Sequence, residues 1–226
     1  MLAALPRPVR NRLLARCEPV HLVLSQVLCE PGQATRHVYF PTQGFVSLIA
    51  ELDATHGLEV GMAGREGMVG VQLALGVTQQ PLRALVQGAG LAWRLSTAGL
   101  RDEMARSPPL QQRLLRYVAV LMAQRAASAA CLRYHEIGPR LSRWLLMSQD
   151  RAQADHFPLT QAFVASMLGV RRVGVTVAAG DLQRRGLIHY HRGDLTVLDR
   201  AGLEAASCSC YATDLKTYAQ TMGGRR

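Results

Sequence analysis

Arg171 and Arg172 follow directly on Leu168-Gly169-Val170, at the head of a stretch whose apolar residues recur at helical spacing: Val175, Ala179, Leu182, with Ala178 beside them. A guanidinium is a forked donor that fits phosphate oxygens and the O6/N7 edge of guanine. A pair of them opening a helix is what backbone anchoring and base reading together require. Arg184 and Arg185 close the same stretch. Other reactive side chains do not group in this way. His21, His37 and His56 are scattered and make no His-x-His ligand cluster, so metal-dependent enzyme chemistry lacks a ligand set. No phosphate-binding glycine loop, dinucleotide glycine motif or Gly-x-Ser-x-Gly elbow is present. The sequence therefore reads as a non-enzyme with no assigned cofactor or metal. The five cysteines, Cys17, Cys29, Cys131, Cys208 and Cys210, are odd in number and irregularly spaced, which is not a disulfide framework. Cys208-Ser209-Cys210 has a spacing that could bind metal or respond to oxidation; tolerated thiols in a reducing compartment are the preferred reading.

The elements that must position the arginines are legible around them. Thr160 is a good N-cap, and Phe163, Val164, Met167 and Leu168 give a short helix its buried face. Gly169 supplies the tight turn, and a second helix runs from about Arg171 to about Arg185. Gly186-Leu187-Ile188 then enters a hairpin that turns at Arg192-Gly193-Asp194 and ends at Leu198. Helix, turn, helix and hairpin in that order predict a winged helix-turn-helix.

Upstream the texture differs. Between Val20 and Leu95, β-rich runs (Val20–Leu28, His37–Phe40, Phe45–Leu52, Leu58–Ala63, Leu82–Leu95) alternate with Gly and Pro turns, the pattern of a β-roll or jelly roll. After Ser107-Pro108-Pro109 the period becomes helical. Leu110, Leu114, Tyr117, Leu121, Gln124, Ser128, Cys131 and His135 form a heptad seam, with a second line through Val118, Met122, Ala129 and Leu132. One stripe can cover the β domain while the other meets a second copy. A dimerisation helix over about 109–135 is expected, then a break at Gly138-Pro139 and a helix over Arg140–Asp150 with Leu141, Trp144, Leu145 and Met147 apolar. The fold class is α+β, divided into a sensor domain with its dimer helix (1–136) and a winged helix-turn-helix domain (137–226). A net charge of +10 and a pI near 10.1 favour a polyanionic partner. No apolar run reaches membrane-spanning length and the N-terminus does not read as a signal peptide, so a cytoplasmic location is expected.

The run Leu159-Thr-Gln-Ala-Phe-Val-Ala-Ser-Met-Leu-Gly-Val-Arg-Arg, continuing through Asp181-Leu-Gln-Arg-Arg-Gly-Leu-Ile188 and the Arg192-Gly193 wing, resembles the Crp/Fnr superfamily, the cyclic-AMP receptor protein and its relatives. Tyr39-Phe40 with Gly44 and the Gly64–Gly70 turn resemble that family's β-roll. The resemblance implies a homodimeric transcription regulator that binds double-stranded DNA and RNA polymerase. It places Thr160, Arg171 and the wing's Arg192 on phosphate, and Arg172, Val173 and Val177 on base edges. Family members often carry an arginine, a glutamate and a second arginine at the latter three positions, so the preferred DNA sequence should differ here. In the sensor half, Gly70 is followed by Val71 where cyclic-nucleotide binders have Glu, and Arg83 before Ala84 is out of register. Gly70, Val71 and Arg83 mark a candidate pocket for a small-molecule effector, with cyclic nucleotide disfavoured. The N-terminal cysteine cluster of iron–sulfur relatives is missing. Alternative readings are a protein-interaction module, or a metal- or haem-binding sensor (through His21, His37 or His56) with a degenerate DNA-binding domain.

Overall fold

The computed structural model describes residues 1–53 and 57–223, so His56 lies outside the described residues. A 3-10 turn (Leu2–Ala4) and α1 (Arg7–Leu14) precede seven strands: β1 (Glu18–Leu22), β2 (Val27–Cys29), β3 (His37–Pro41), β4 (Phe45–Glu51), β5 (Gly57–Ala63), β6 (Arg83–Gly88) and β7 (Gly90–Ser96). They form two antiparallel sheets, ordered β1-β7-β3 and β2-β6-β4-β5. The run Val20–Leu28 is split, because Ser25 adopts a positive φ of 66° between β1 and β2, while Leu82–Leu95 divides into β6 and β7 at its glycine turn, Gly88-Ala89-Gly90.

β4 is buried on both faces because strand side chains alternate. Val46 and Leu48 pack inward with Ala63, Val86 and Ala92. Phe45 and Ile49, with Met62, face the other way and join Leu141, Trp144 and Leu145 of the C-terminal half in one apolar cluster. The two halves thus share a core.

α2 (Thr97–Arg106), absent from the sequence reading, is capped by Ser96, whose Oγ accepts the Gly99 N–H at 3.1 Å. α3 (Pro108–Tyr134) follows, about 40 Å long at 1.5 Å per residue. Leu110, Leu114, Tyr117 and Leu121 are buried against the β-roll. The rest of that seam faces the chain's own last helix. α4 (Ile137–Ala152) starts before Gly138-Pro139 instead of after it; proline is accommodated in a first turn, where its missing N–H has no intrahelical partner. α7 (Arg200–Ala206) leads to α8 (Cys210–Met222), which runs back along α3. Arg143 on α4 donates to Asp214 on α8 at 2.6 Å and to Ser128 on α3 at 3.1 Å. Tyr218 donates to the Glu66 carbonyl at 2.6 Å, and Met222 enters the cluster of Leu110 and Tyr117. The first heptad seam is therefore consumed within the chain. The opposite side of α3, with Leu115, Ala119, Met122, Ala126 and Ala129, is exposed.

Glu59 on β5 sits at the junction of the halves, accepting from Ser47 Oγ at 2.5 Å and from Trp144 Nε1 at 3.0 Å. Burial raises its carboxyl from 4.5 to about 7 against the pull of these donors. An acid with a raised pKa holds its proton more tightly folded than unfolded, so its contribution to stability is complete below the unfolded value and lost as pH rises through the folded one. Denaturant titrations should show an unfolding free energy that declines between pH 4.5 and about 7, by up to about 3 kcal/mol. Glu59→Gln should flatten that decline; an identical pH profile in the variant would refute the assignment.

Candidate nucleic-acid interface

The C-terminal unit is built on a small sheet, β8 (His156–Pro158), β10 (Asp194–Val197) and β9 (Ile188–His191), in that spatial order. Two helices stand beside it, α5 (Gln161–Leu168) and α6 (Arg172–Arg184). Thr160 caps α5, its Oγ1 accepting the Phe163 N–H at 3.2 Å. Gly169 ends α5 in the left-handed conformation, φ 63°, and α5 and α6 meet at a bend of 109°, within the range of helix-turn-helix units. Val175, Ala178, Ala179 and Leu182 are the buried side of α6. At the wing, Arg192 and Gly193 both have positive φ, 49° and 86°, the requirement of a two-residue type I′ hairpin.

This framework aims a polar surface outward. Arg171 is the N-cap of α6, in extended conformation, and the helix proper begins at Arg172. Val173 and Val177 are 65% and 66% exposed, so the folded chain itself leaves two apolar side chains in water beside an arginine. Thr160, Arg172 and Arg192 line one cleft of about 380 Å³ together with Gln161 and Tyr190. Gln161 and Tyr190 were missed by the sequence reading. Gln161 follows the cap and accepts from Thr176 on α6 at 2.7 Å, while Tyr190 lies on the hairpin strand β9. Arg184 and Arg185 behave differently, sharing Asp181 at 3.1 and 3.5 Å. No ion pair among the described residues engages Arg171, Arg172 or Arg192. Gly174, which could have let backbone approach DNA, instead packs against α4: a Cβ there would lie 2.6 Å from Ile137 Cδ1.

The residues of the candidate effector pocket do not converge. Gly70 and Val71 line a cavity of about 150 Å³ with Met68, Gln72, Leu121 and Arg125, smaller than the ~300–1,000 Å³ typical of drug-sized ligand sites. Arg83 is elsewhere, at the start of β6, held by Glu51 at 3.1 Å and Glu30 at 3.5 Å. A larger cavity of about 420 Å³ lies between β5, α3, α4 and α5, and Arg125 on α3 lines both cavities with a buried, unpartnered Nε. His21 is exposed on β1, and His37 pairs at the opposite end of β7, so the two do not meet.

Among the described residues no single helix is long and apolar enough to cross a membrane. The turn glycine gives a direct test of the geometry. In the left-handed region a Cβ is strained, and at Gly169 it would also lie 2.8 Å from Leu58 Cδ1. Gly169→Ala should lower stability by about 1–2 kcal/mol. Gly180→Ala, where a Cβ on α6 meets nothing nearer than Arg184 Nη1 at 3.7 Å, should raise it by about 1 kcal/mol. Denaturant midpoints that move in the same direction for both variants would contradict this geometry.

Residues 139–206 match the family described as the Crp-like helix-turn-helix domain. No curated protein matches the chain in sequence. Solved structures do match in fold. A Crp/Fnr-family protein from Eubacterium rectale aligns with a TM-score of 0.70 at 14% identity, over 90% of this chain and 95% of its own. The c-di-GMP-responsive global regulator CLP of Xanthomonas campestris aligns with a TM-score of 0.67 at 20% identity, over 85% and 99%. A CRP-family transcriptional regulator from Thermus thermophilus gives 0.67 at 19%, over 83% and 96%. The chain therefore carries a Crp-like helix-turn-helix domain in its C-terminal part and has, over nearly its whole length, the α+β fold of the Crp/Fnr transcriptional regulators.

Proposed function

We propose that this chain is a sequence-specific DNA-binding transcription regulator that acts as a homodimer in the cytoplasm, where the DNA is. The observation that carries the reading is the outward row of Arg172, Val173 and Val177 on α6 beside a cleft lined by Thr160, Arg172 and Arg192. Arg172 can donate to guanine O6 and N7, and the two valines can pack on thymine methyl groups. Thr160, Arg171 and Arg192 flank the row as donors to phosphate. Val173 and Val177, exposed one turn apart beside an arginine on a helix that otherwise buries its apolar side, offer a second surface a small apolar contact, and the unpaired arginines suit a partner of negative charge.

The exposed line Leu115, Ala119, Met122, Ala126 and Ala129 supports the dimer. These positions alternate by four and three, the coiled-coil period, and Met122 is 66% exposed. Small residues between the larger ones allow two such helices to approach closely. Pairing about a two-fold axis would present two copies of α6 to half-sites one helical turn, about 34–36 Å, apart. The cavity beside Gly70 and Val71 gives no support to a cyclic nucleotide as effector.

Two sets of variants test this reading on DNA fragments selected from the host genome. Arg172→Ala should weaken the selected site by about 1–3 kcal/mol while leaving non-specific binding in place, whereas Arg192→Ala should weaken all sequences alike and lower the salt slope by about one phosphate. Equal losses on every fragment for Arg172→Ala would remove it from base reading, and absence of any salt-sensitive, sequence-selective fragment would favour a protein-binding module. Sedimentation should give a dimer for the native chain and a monomer for Ala126→Glu, since like charges facing across a seam repel; a native monomer at micromolar concentration would overturn the dimer.

A further inference from the structure

Four side chains that no DNA contact employs converge at the joint between the halves. Cys131 lies in the last turn of α3, and His135, four residues on, is that helix's C-cap; residues so spaced stack on one face. Cys208 lies between α7 and α8, and Cys210 is the first residue of α8. The return of α8 along α3 brings the two pairs together across 75 or more positions of sequence. Cys131 Sγ is 3.6 Å from Cys208 Sγ, and Cys210 Sγ is 3.6 Å from His135 Nδ1. All four potential ligand atoms lie within 4.8 Å of one another.

The two 3.6 Å separations match edges of a tetrahedron around one ion, and the other ligand atoms, all within 4.8 Å, lie close enough to complete it. Zinc bonded to sulfur at ~2.3 Å and to nitrogen at ~2.0–2.1 Å sets sulfur–sulfur edges near ~3.8 Å and sulfur–nitrogen edges near ~3.6 Å. A polynuclear iron–sulfur cluster would hold its cysteines wider apart, because iron atoms separate them. A disulfide would engage two sulfurs at ~2.05 Å and leave Cys210 and His135 facing each other without a purpose. The donor set of three sulfurs and one imidazole selects a borderline-soft ion over magnesium or calcium. Four protein ligands leave no open position, the arrangement of a structural rather than a catalytic site. Cys131 and Cys208 are buried, and Cys210 is partly exposed, which leaves the ion an entry path. Charge is also compensated. Zinc with three thiolates and a neutral imidazole carries one net negative charge, and the guanidinium groups of Arg140 and Arg143 both feel Cys131 and Cys208 electrostatically. The N-terminus of α8, at Cys210, adds a favourable dipole end.

We propose that Cys131, His135, Cys208 and Cys210 form a structural zinc site that fastens the start of α8 to the end of α3, across the joint at His135–Glu136. This reverses the sequence-level preference for tolerated thiols, and it does not depend on what α6 binds. The full chain, purified under reductant and extensively dialysed, should retain about one zinc per chain. Chelator-stripped protein loaded with cobalt(II) should show the thiolate-to-metal charge-transfer absorption and strong visible ligand-field bands of tetrahedral sulfur coordination. Cys208→Ser and Cys210→Ser should lose the stoichiometric zinc, while Cys29→Ser keeps it. Alkylation read by mass spectrometry tests the native chain without substitution: zinc should slow reaction at Cys210 by an order of magnitude or more relative to stripped protein, with Cys17 and Cys29 unaffected. Zinc that dialyses away, a cobalt spectrum without charge transfer, equal Cys210 alkylation with and without zinc, or a Cys131–Cys208 disulfide in zinc-loaded protein would each overturn the site.

Discussion

The Arg143 guanidinium, 2.6 Å from the Asp214 carboxylate, is buried where α3, α4 and α8 meet. Burying either charge alone would be strongly unfavourable, and removing one partner of such a pair typically costs about 3–5 kcal/mol because the other is left uncompensated. The pair therefore obliges α8 to lie along α3 whenever α4 is in place. Ser128 adds a second acceptor to the same guanidinium, Tyr211 and Arg200 tie α8 and α7 to Asp150 on α4, and Tyr218 reaches the turn after β5 through the Glu66 carbonyl. α8 is consequently a strut between the halves and not a tail of the second one.

That strut decides which surface of α3 remains for another chain. The first heptad seam has no outward role: its upper part closes the β-roll core and its lower part meets α8. A helix whose inner half is occupied in this way can offer only its outer line of Leu115, Ala119, Met122, Ala126 and Ala129. The same constraint sets the orientation of α6. Its N-terminal turn rests on Ile137, the first residue of α4, through the contact that Gly174 permits. Since α4 is fixed to α3 and α8, the arginine-bearing end of α6 inherits its place from the long helix.

Much of this was legible in the sequence, and what was not has a common cause. The helix-turn-helix and its wing depend on local signals: a threonine cap, a glycine that must take positive φ, an Arg-Gly hairpin turn, and apolar spacing within each helix. Thr160, Gly169, Val175 and Gly193 carry them. The β-runs were legible for the same reason, although Ser25 broke one of them by adopting a conformation that serine rarely takes. The long helix was also legible, but its two apolar stripes looked alike, and nothing local says that α8 covers one of them. α8 itself has only a scattered apolar face, and its binding is settled by Asp214, a charged residue that reads as surface until its partner is known. The place of Arg83 was hidden for the corresponding reason, because its acidic partners are distant in sequence, Glu30 just after β2 and Glu51 at the end of β4. Cys131 and His135 stood together in the heptad seam, and Cys131, Cys208 and Cys210 among five irregularly spaced cysteines, with no local signal to join His135 to the thiols. Only the tertiary fold makes them one group.

The shared core has a mechanical consequence. Phe45, Ile49 and Met62 of the β-roll belong to the same apolar cluster as Leu141, Val164 and Leu168, and Gly169, at the turn before α6, is in contact range of Leu58 on β5. Rotating the helix-turn-helix away from the β-roll would expose these side chains to water at roughly 25 cal/mol per Å² of apolar surface. Were α4 to move with it, Trp144 would also part from Glu59, taking a hydrogen bond from a carboxyl that is already poorly solvated. The cavity of about 420 Å³ lies along this seam, between Leu58, Glu59, Arg125, Trp144 and Leu168. An occupant there would touch the long helix, the β-roll and the end of α5 at the helix-turn-helix turn at once, whereas one beside Gly70 and Val71 would touch only the first two. The seat of α6 is thus set by the packing between β5 and α4–α5, and α6 is joined to the β-roll through that interface and through α3.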